Sequence, residues 1–492
     1  MAANLKADSM TRQTAENPKG QQLIVCCIAF AAFVFQFEAF LVNVSLPTIA
    51  TDLKTTTTYV SFVVIVYLLA ATSAFLPAGK LGQSMGLKTP FLGGCFLITV
   101  GTLFSGLSPN LWILLASRFL QGLGAGAMAA LAYAMIPAWI KPDRVGWGYG
   151  YLNLGAGVGM LVGVPLGGML SHFASWRWIF LSNFPFMLML LLFAWRTLPE
   201  DRSDGPIRNN FDPLGTILFS ALISVTVFWI SLGSEMGWGS TPIISAFLAV
   251  VALALAIVIR RKLTGRTCFP PGLLCIRGFA ASLAVLFLVR MIAGGTVFLL
   301  PFYLEVSCGM SALLASWMLL SYPLIFVIVA PLAGRFADRF DARTLVVPTT
   351  LLGAVACGFF ALFLPMATGW VAIMFLFTFG LVMGVFPAPN NRFSMNVVPD
   401  ERKTEAAALL PVALNMGTIF GVSIFESIFA MKFPGGSAYL KHLQLIPAAN
   451  VLQLIDHGFA NAFMLAFSIF LIAGIIAWIT YLTPLPEQGS SR

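Results

Sequence analysis

Four ionisable side chains, Glu38, Arg118, Arg290 and Glu426, lie inside long apolar runs of this 492-residue chain. An ion at the centre of a bilayer costs about 2.5–3.5 kcal/mol even on insertion scales, so such groups are expected to face a polar cavity or one another. At about 1.5 Å per residue, Arg118 falls roughly 12 Å below the outer end of its run. By the same rise, Arg290 falls about 18 Å above the inner end of its own, so both lie near mid-bilayer. Glu38 and Glu426 fall in the outer halves of theirs. Each half of the chain thus supplies one acid and one base. Burial favours a neutral carboxyl and a neighbouring arginine favours an ionised one, so such a pair can exchange a proton against a cationic solute. The competing reading is a structural Glu–Arg pair tying the first helix to the fourth.

The elements that must hold these groups are apolar helices. The chain is 59% hydrophobic and 10% charged, with mean hydropathy +0.91. Soluble domains carry about 25% charged residues, so lipid must be the main solvent. Long unbroken runs indicate helices rather than a barrel, whose strands alternate apolar and polar residues. We expect spans near 23–48, 58–79, 89–107, 110–137, 146–170, 177–198, 213–233, 242–260, 278–304, 311–333, 344–365, 369–389, 404–430 and 458–483. The fold class is therefore an all-α polytopic membrane protein with fourteen transmembrane helices. With the N-terminus in the cytoplasm, 22 of the 28 Lys and Arg residues fall in cytoplasmic segments, 4 in outward loops and 2 inside helices. That bias obeys the positive-inside rule and puts both termini on the cytoplasmic side of a bacterial inner membrane.

The net charge of +9 does not indicate nucleic acid, because the basic residues are spread over short loops. The seven cysteines and three histidines show no metal-ligand spacing, so no metal is expected. The polar N-terminus lacks the pattern of a cleaved signal, and no phosphate-cradling lysine motif occurs. No constellation suggests an enzyme, and no signalling module is evident. The only energy source expected is a proton gradient, with no cofactor. The expected partners are a small-molecule substrate, protons and the lipid bilayer.

An internal echo divides the chain. Gly79-Lys80-Leu81-Gly82-Gln83 and Gly334-Arg335-Phe336-Ala337-Asp338-Arg339 occupy corresponding cytoplasmic loops. Two similar halves suggest a transporter with its site at their interface. The expected organisation is a tail (1–22), a six-helix bundle (23–198), a linker with two extra helices (199–276), a second six-helix bundle (277–483) and a tail (484–492). The outward segment 431–457 is the longest loop, with an amphipathic stretch over Leu440–Leu454 that suggests a lid.

Several motifs resemble those of the fourteen-helix drug:proton antiporters of the major facilitator superfamily. Glu38-Ala-Phe-Leu-Val-Asn43-Val-Ser-Leu-Pro47 is similar to a signature of helix 1, with Glu38 replacing an aspartate and Phe40 a threonine. Arg118-Phe-Leu-Gln121-Gly122-Leu-Gly124-Ala-Gly126 resembles the proton-relay motif of helix 4. Gly155, Gly159, Gly163, Pro165, Gly167 and Gly168 resemble the antiporter motif, although Pro165 stands one position late. Trp176-Arg177-Trp178-Ile179-Phe180-Leu-Ser-Asn183-Phe-Pro185, Phe211-Asp212-Pro-Leu-Gly215 and Gly237-Trp238-Gly239 follow the family pattern around the extra helix pair.

The resemblance implies a major facilitator fold, a monomer, and export of amphipathic or cationic compounds in exchange for protons. Proton coupling would fall to Glu38, Arg118 and Glu426. Phe37, Phe40 and Met128 are candidate lining residues because they flank the charges of helices 1 and 4. Arg290, Asn43, Gln121 and Asn415 complete the candidate substrate contacts, and Gln83, Asp338, Arg339, Gly163 and Pro165 are the candidate gating residues. Gln83 stands where the family has an aspartate, so the latch of the first half is neutral or rebuilt. The alternative is transport of an endogenous anionic metabolite, such as a siderophore, with Arg118 and Arg290 as anion contacts.

Overall fold

Helices account for nearly all of the described chain because each backbone amide in hydrocarbon must be paired within its own segment. The structure is a computed structural model, and it describes residues 18–141, 145–200, 213–264, 271–364, 369–399, 402–431 and 449–481. The helices are α1 (Pro18–Asp52), α2 (Thr57–Met85), α3 (Lys88–Gly106), α4 (Leu111–Trp139), α5 (Val145–Phe173) and α6 (Arg177–Thr197), followed by α7 (Pro213–Met236) and α8 (Thr241–Thr264). The short α9 (Pro271–Leu274) leads to α10 (Arg277–Phe302), which ends in a π-turn over Tyr303–Ser307. Then come α11 (Ala312–Leu319), α12 (Ser321–Arg339), α13 (Ala342–Phe363), α14 (Gly369–Val385), α15 (Pro387–Asn396), α16 (Lys403–Ala430) and α17 (Ala449–Tyr481).

Among the described residues, thirteen helices are long and apolar enough to cross a membrane. The fourteenth expected span is α7, whose apolar stretch Ile217–Gly233 is shorter. The whole of α7 has 24 residues, about 36 Å at 1.5 Å per residue, which spans the hydrocarbon core. α8 shows the lipid signature most clearly: Phe247, Leu248, Leu255, Val258 and Ile259 are all exposed.

Turn chemistry sets several boundaries. Asn110 accepts a hydrogen bond from the Ile113 amide at 3.0 Å and caps α4. Ser311 accepts one from the Leu314 amide and caps α11. The expected span 311–333 is broken at Leu320 into α11 and α12. The span 369–389 continues through Phe386 into α15, where Pro387 and Pro389 remove two amide donors.

Two expectations for the loops are corrected. The echo motifs at Gly79–Gln83 and Gly334–Arg339 are not loops but the last turns of α2 and α12. Lys, Arg, Gln and Leu are good helix formers, and the helices simply run on. In the expected outward loop, Ala449 already begins α17, while residues 432–448 lie outside the described residues.

Contacts group the chain into two units, Met1–Leu53 with Phe62–Ala221, and Lys54–Ser61 with Leu222–Arg492. In the first unit, α1 packs along α5. A methyl group added at Gly163 would stand 2.7 Å from the Phe37 carbonyl oxygen and 3.2 Å from Phe40 Cβ. Only glycine allows the backbones to approach this closely. In the second unit, α10 packs along α16 in the same manner. A methyl at Gly417 would meet the Phe287 carbonyl oxygen and stand 3.0 Å from Arg290 Cβ. Within the first unit, Asp52 at the end of α1 accepts hydrogen bonds from Trp176 Nε1 at 2.7 Å and Arg177 at 3.0 Å, fixing the start of α6.

Candidate functional site

The first unit gathers three of the sequence candidates, Glu38, Arg118 and Gln121, into one buried network. Glu38 on α1 and Arg118 on α4 form an ion pair at 2.5 Å, and their side chains are each only 2% exposed. Arg118 also donates through Nε to the Val63 carbonyl at 3.0 Å and through Nη1 to Gln121 Oε1 at 2.9 Å. Its guanidinium sits 4.1 Å from the centre of the Tyr67 ring, a cation–π contact. Glu38 accepts a second bond from Asn183 Nδ2 of α6 at 3.3 Å. Gln121 donates to Thr102 and accepts from Ser105, both on α3.

Five helices thus hold one carboxylate. α1 supplies the acid, α4 the base and the relay amide, α2 a carbonyl and an aromatic face, α6 an amide, and α3 two hydroxyls. The two charges of the pair offset each other, and Arg118 directs Nε and Nη1 to three acceptors. Such a network has two protonation states with different consequences. With Glu38 ionised, α1, α4 and α6 are bonded together. With Glu38 neutral, the ion pair is lost and Arg118 keeps only neutral partners.

Glu426 on α16 lies in the second unit and is fully buried. It accepts hydrogen bonds from Thr58 Oγ1 at 2.6 Å and Thr57 Oγ1 at 3.3 Å. Both threonines belong to the Lys54–Ser61 segment, which groups with that unit. The next residue, Ser427, donates to the Ile230 carbonyl of α7 at 2.7 Å.

Arg290 on α10 differs from Arg118. It is partly buried, and among the described residues it has no ion-pair partner and no hydrogen bond at Nε. Its electrostatic neighbour is Tyr322 of α12.

The other expected substrate contacts fall in several environments. Phe37 is 1% exposed, its ring stacked 5.5 Å from Phe33 and edge-on to Phe186 at 5.6 Å. Met128 is buried in the apolar core of the first unit, and Gln121 is fully buried in the polar network. Asn43 is partly buried and donates to the Ala39 carbonyl of its own helix at 2.8 Å. Phe40 is partly buried, and Asn415 is buried on α16. Of the gating candidates, Gly163 lies at the α1–α5 contact and Pro165 within α5. The side chains of Gln83, Asp338 and Arg339 lie outside the described residues.

Sequence reasoning did not single out Asn183, Thr102, Ser105, Tyr67, Thr57, Thr58 or Tyr322 as site residues. Asn183 had a signal, since it stands in the motif that opens α6. The hydroxyls had none, because Ser and Thr are common in membrane helices, where they bond to their own backbone.

The family model described as Major Facilitator Superfamily matches residues 28–292, 231–422 and 282–492. The chain belongs to the Major Facilitator Superfamily. Riboflavin transporter RibZ of Clostridioides difficile (strain 630) is 26% identical over 85% of this chain and 90% of that protein. Putative multidrug resistance protein MdtD of Pectobacterium atrosepticum is 27% identical over 81% and 84%. Uncharacterized transporter YebQ of Escherichia coli (strain K12) is 30% identical over 83% and 88%.

Among solved structures, a bacterial homologue of the human lysosomal transporter Spinster, in an inward-facing unoccupied conformation, aligns with TM-score 0.67 at 12% identity. It covers 94% of this chain and 98% of that one. A D-xylose–proton symporter aligns with TM-score 0.64 at 14% identity, covering 94% and 98%. These likenesses show a shared fold. The protein is a multi-pass membrane transporter with bacterial relatives, and its all-helical architecture is the major facilitator fold.

Proposed function

We propose that this chain is a proton-coupled secondary active transporter that exports small amphipathic compounds from the cytoplasm by alternating access. The observation that carries this reading is the Glu38 carboxyl, buried in a membrane-spanning bundle with Arg118 and Asn183 on its two oxygens. Intramembrane ionisable groups are costly and are functional by default. A proton that neutralises Glu38 removes the attraction that joins α1 to α4. Binding a proton on one side and losing it on the other therefore changes how tightly the bundle is held. That provides a two-state element on which a proton gradient can act.

Relatives bearing the names of multidrug resistance and riboflavin transport support an organic, aromatic-bearing substrate. The cationic preference expected from a free acid finds no support at Glu38, whose charge Arg118 offsets. In this reading the protein works as a monomer in the bacterial inner membrane, with both termini cytoplasmic. It is not an enzyme and needs no cofactor beyond the proton gradient.

The test is purified protein in liposomes under an imposed pH gradient, with a pH-sensitive dye inside. A panel of cationic, neutral and anionic aromatic compounds is added in turn. At least one compound should drive proton movement that Glu38→Gln abolishes. Compound movement without proton flux, or equal flux in Glu38→Gln, would refute the mechanism.

A further inference from the structure

The two units repeat one helix pair in the same register. Gly163 of α5 faces the Phe37 carbonyl and Phe40 Cβ, and Gly167 faces the Leu41 carbonyl. In the second unit Gly417 of α16 faces the Phe287 carbonyl and Arg290 Cβ, and Gly421 faces the Met291 carbonyl. Phe37 therefore corresponds to Phe287, Leu41 to Met291, and Phe40 to Arg290. One copy of the repeat packs with phenylalanine where the other carries a cation. Packing this helix pair does not require the arginine.

Arg290 also lacks what makes an intramembrane arginine structural. Arg118 has a carboxylate, a carbonyl, an amide oxygen and an aromatic face. Arg290 has no ion-pair partner and an unbonded Nε among the described residues. A guanidinium near mid-membrane with no counter-charge is paid for by something outside the polypeptide. Its surroundings say what shape that should be. One turn before it, the partly buried Phe287 ring lies 5.7 Å from Phe420 of α16 in an edge-to-face pair. Tyr322 approaches it from α12.

We propose that Arg290 is the anion contact of a binding site on the second unit for flat aromatic compounds carrying a carboxylate or similar anionic group. The ring of the ligand packs on Phe287 and Phe420, and its anionic group pairs with the guanidinium. This deepens the transport reading above by naming the substrate class, and rests on it for physiological meaning. The binding site itself can be tested without transport.

The experiment is equilibrium binding of radiolabelled 2-naphthoate to the full-length protein in lipid nanodiscs, with 2-naphthamide as the neutral isostere. Wild type should bind 2-naphthoate saturably. Arg290→Gln and Arg290→Phe should weaken it by at least about tenfold, the loss expected for a charge-assisted contact, while 2-naphthamide changes little. Arg290→Phe restores the residue of the first repeat and should remain monodisperse. Acetate and chloride should compete poorly, since they lack the ring. Wild type that does not bind 2-naphthoate, or binds it as well with Arg290→Gln, overturns the proposal. So does competition by acetate or chloride equal to that of naphthoate. Aggregation of both neutral variants with Arg290→Lys intact would make the arginine structural and also overturn it. If Arg290-dependent binding stands while Glu38-dependent proton flux fails, the transport mechanism falls and this site remains.

Discussion

Arg118 reaches Glu38 at 2.5 Å while its Nε is tied to the Val63 carbonyl at 3.0 Å, so one guanidinium joins α1, α2 and α4. Removing one member of a buried ion pair strands the other, at a cost of about 3–5 kcal/mol, whereas removing both charges costs far less. Glu38→Gln should therefore lower thermal stability markedly, and Glu38→Gln with Arg118→Gln should recover a large part of the loss. Proton-coupled transport should be absent in both. Melting of the detergent-solubilised variants reads the first effect and liposome proton flux the second. Recovery of coupled transport in the double variant would reduce the pair to a structural clasp.

Glu426 should be energetically coupled to the start of α2. Thr58 Oγ1 donates to it at 2.6 Å and Thr57 Oγ1 at 3.3 Å. A net hydrogen bond is worth about 0.5–1.5 kcal/mol, and one to a charged group about 1.5–3 kcal/mol. In a double-mutant cycle, Thr58→Val and Glu426→Gln should each destabilise, but together by less than the sum, with a coupling of about 1–3 kcal/mol. Additive losses in melting experiments would show that the contact contributes nothing.

Apolar length and the charge bias of the loops made the number and type of spans legible from sequence. Both signals are linear along the chain. The site was only partly legible. Glu38 and Arg118 announced themselves because a charge in hydrocarbon is rare, and both stand in motifs that resemble the family's; their pairing was one of two readings the sequence left open. The state of Arg290 was not legible, because whether an arginine is paired depends on the side chains that neighbouring helices bring to it. The register linking Phe40 to Arg290 was likewise hidden. It appears only once Gly163 and Gly417 are seen against their partner helices. Phe37 and Met128 looked like lining residues by proximity in sequence to the charges, but a helix turns successive residues through 100°, and both face the core.

The close approach of α1 to α5 should make Gly163 intolerant of even one methyl. The added carbon would stand 2.7 Å from the Phe37 carbonyl oxygen, backbone that cannot move without displacing α1. Overpacking of this kind costs typically about 1–3 kcal/mol. Gly163→Ala should lower the melting temperature and reduce coupled transport. Gly93→Ala, with nothing within 4 Å of the added methyl, should match wild type. Equal behaviour of the two variants in melting and flux would mean the helix pair has slack that the structure does not show.

The orientation of the chain follows from where its cations lie, and it can be tested at single positions. Lys54 sits in the turn between α1 and α2, and Lys141 just beyond the end of α4. With the N-terminus in the cytoplasm, the second lies inside, where the positive-inside rule favours it, and the first is one of the few cations left outside. In a cysteine-free background, Lys54→Cys should react with a membrane-impermeant maleimide in intact spheroplasts, and Lys141→Cys only after permeabilisation. The reverse pattern would invert the topology and turn the proposed exporter's cytoplasmic face outward. Labelling of both positions in intact spheroplasts would mean that α2, α3 and α4 do not cross the bilayer an odd number of times between them, which would break the fourteen-span arrangement at its first repeat.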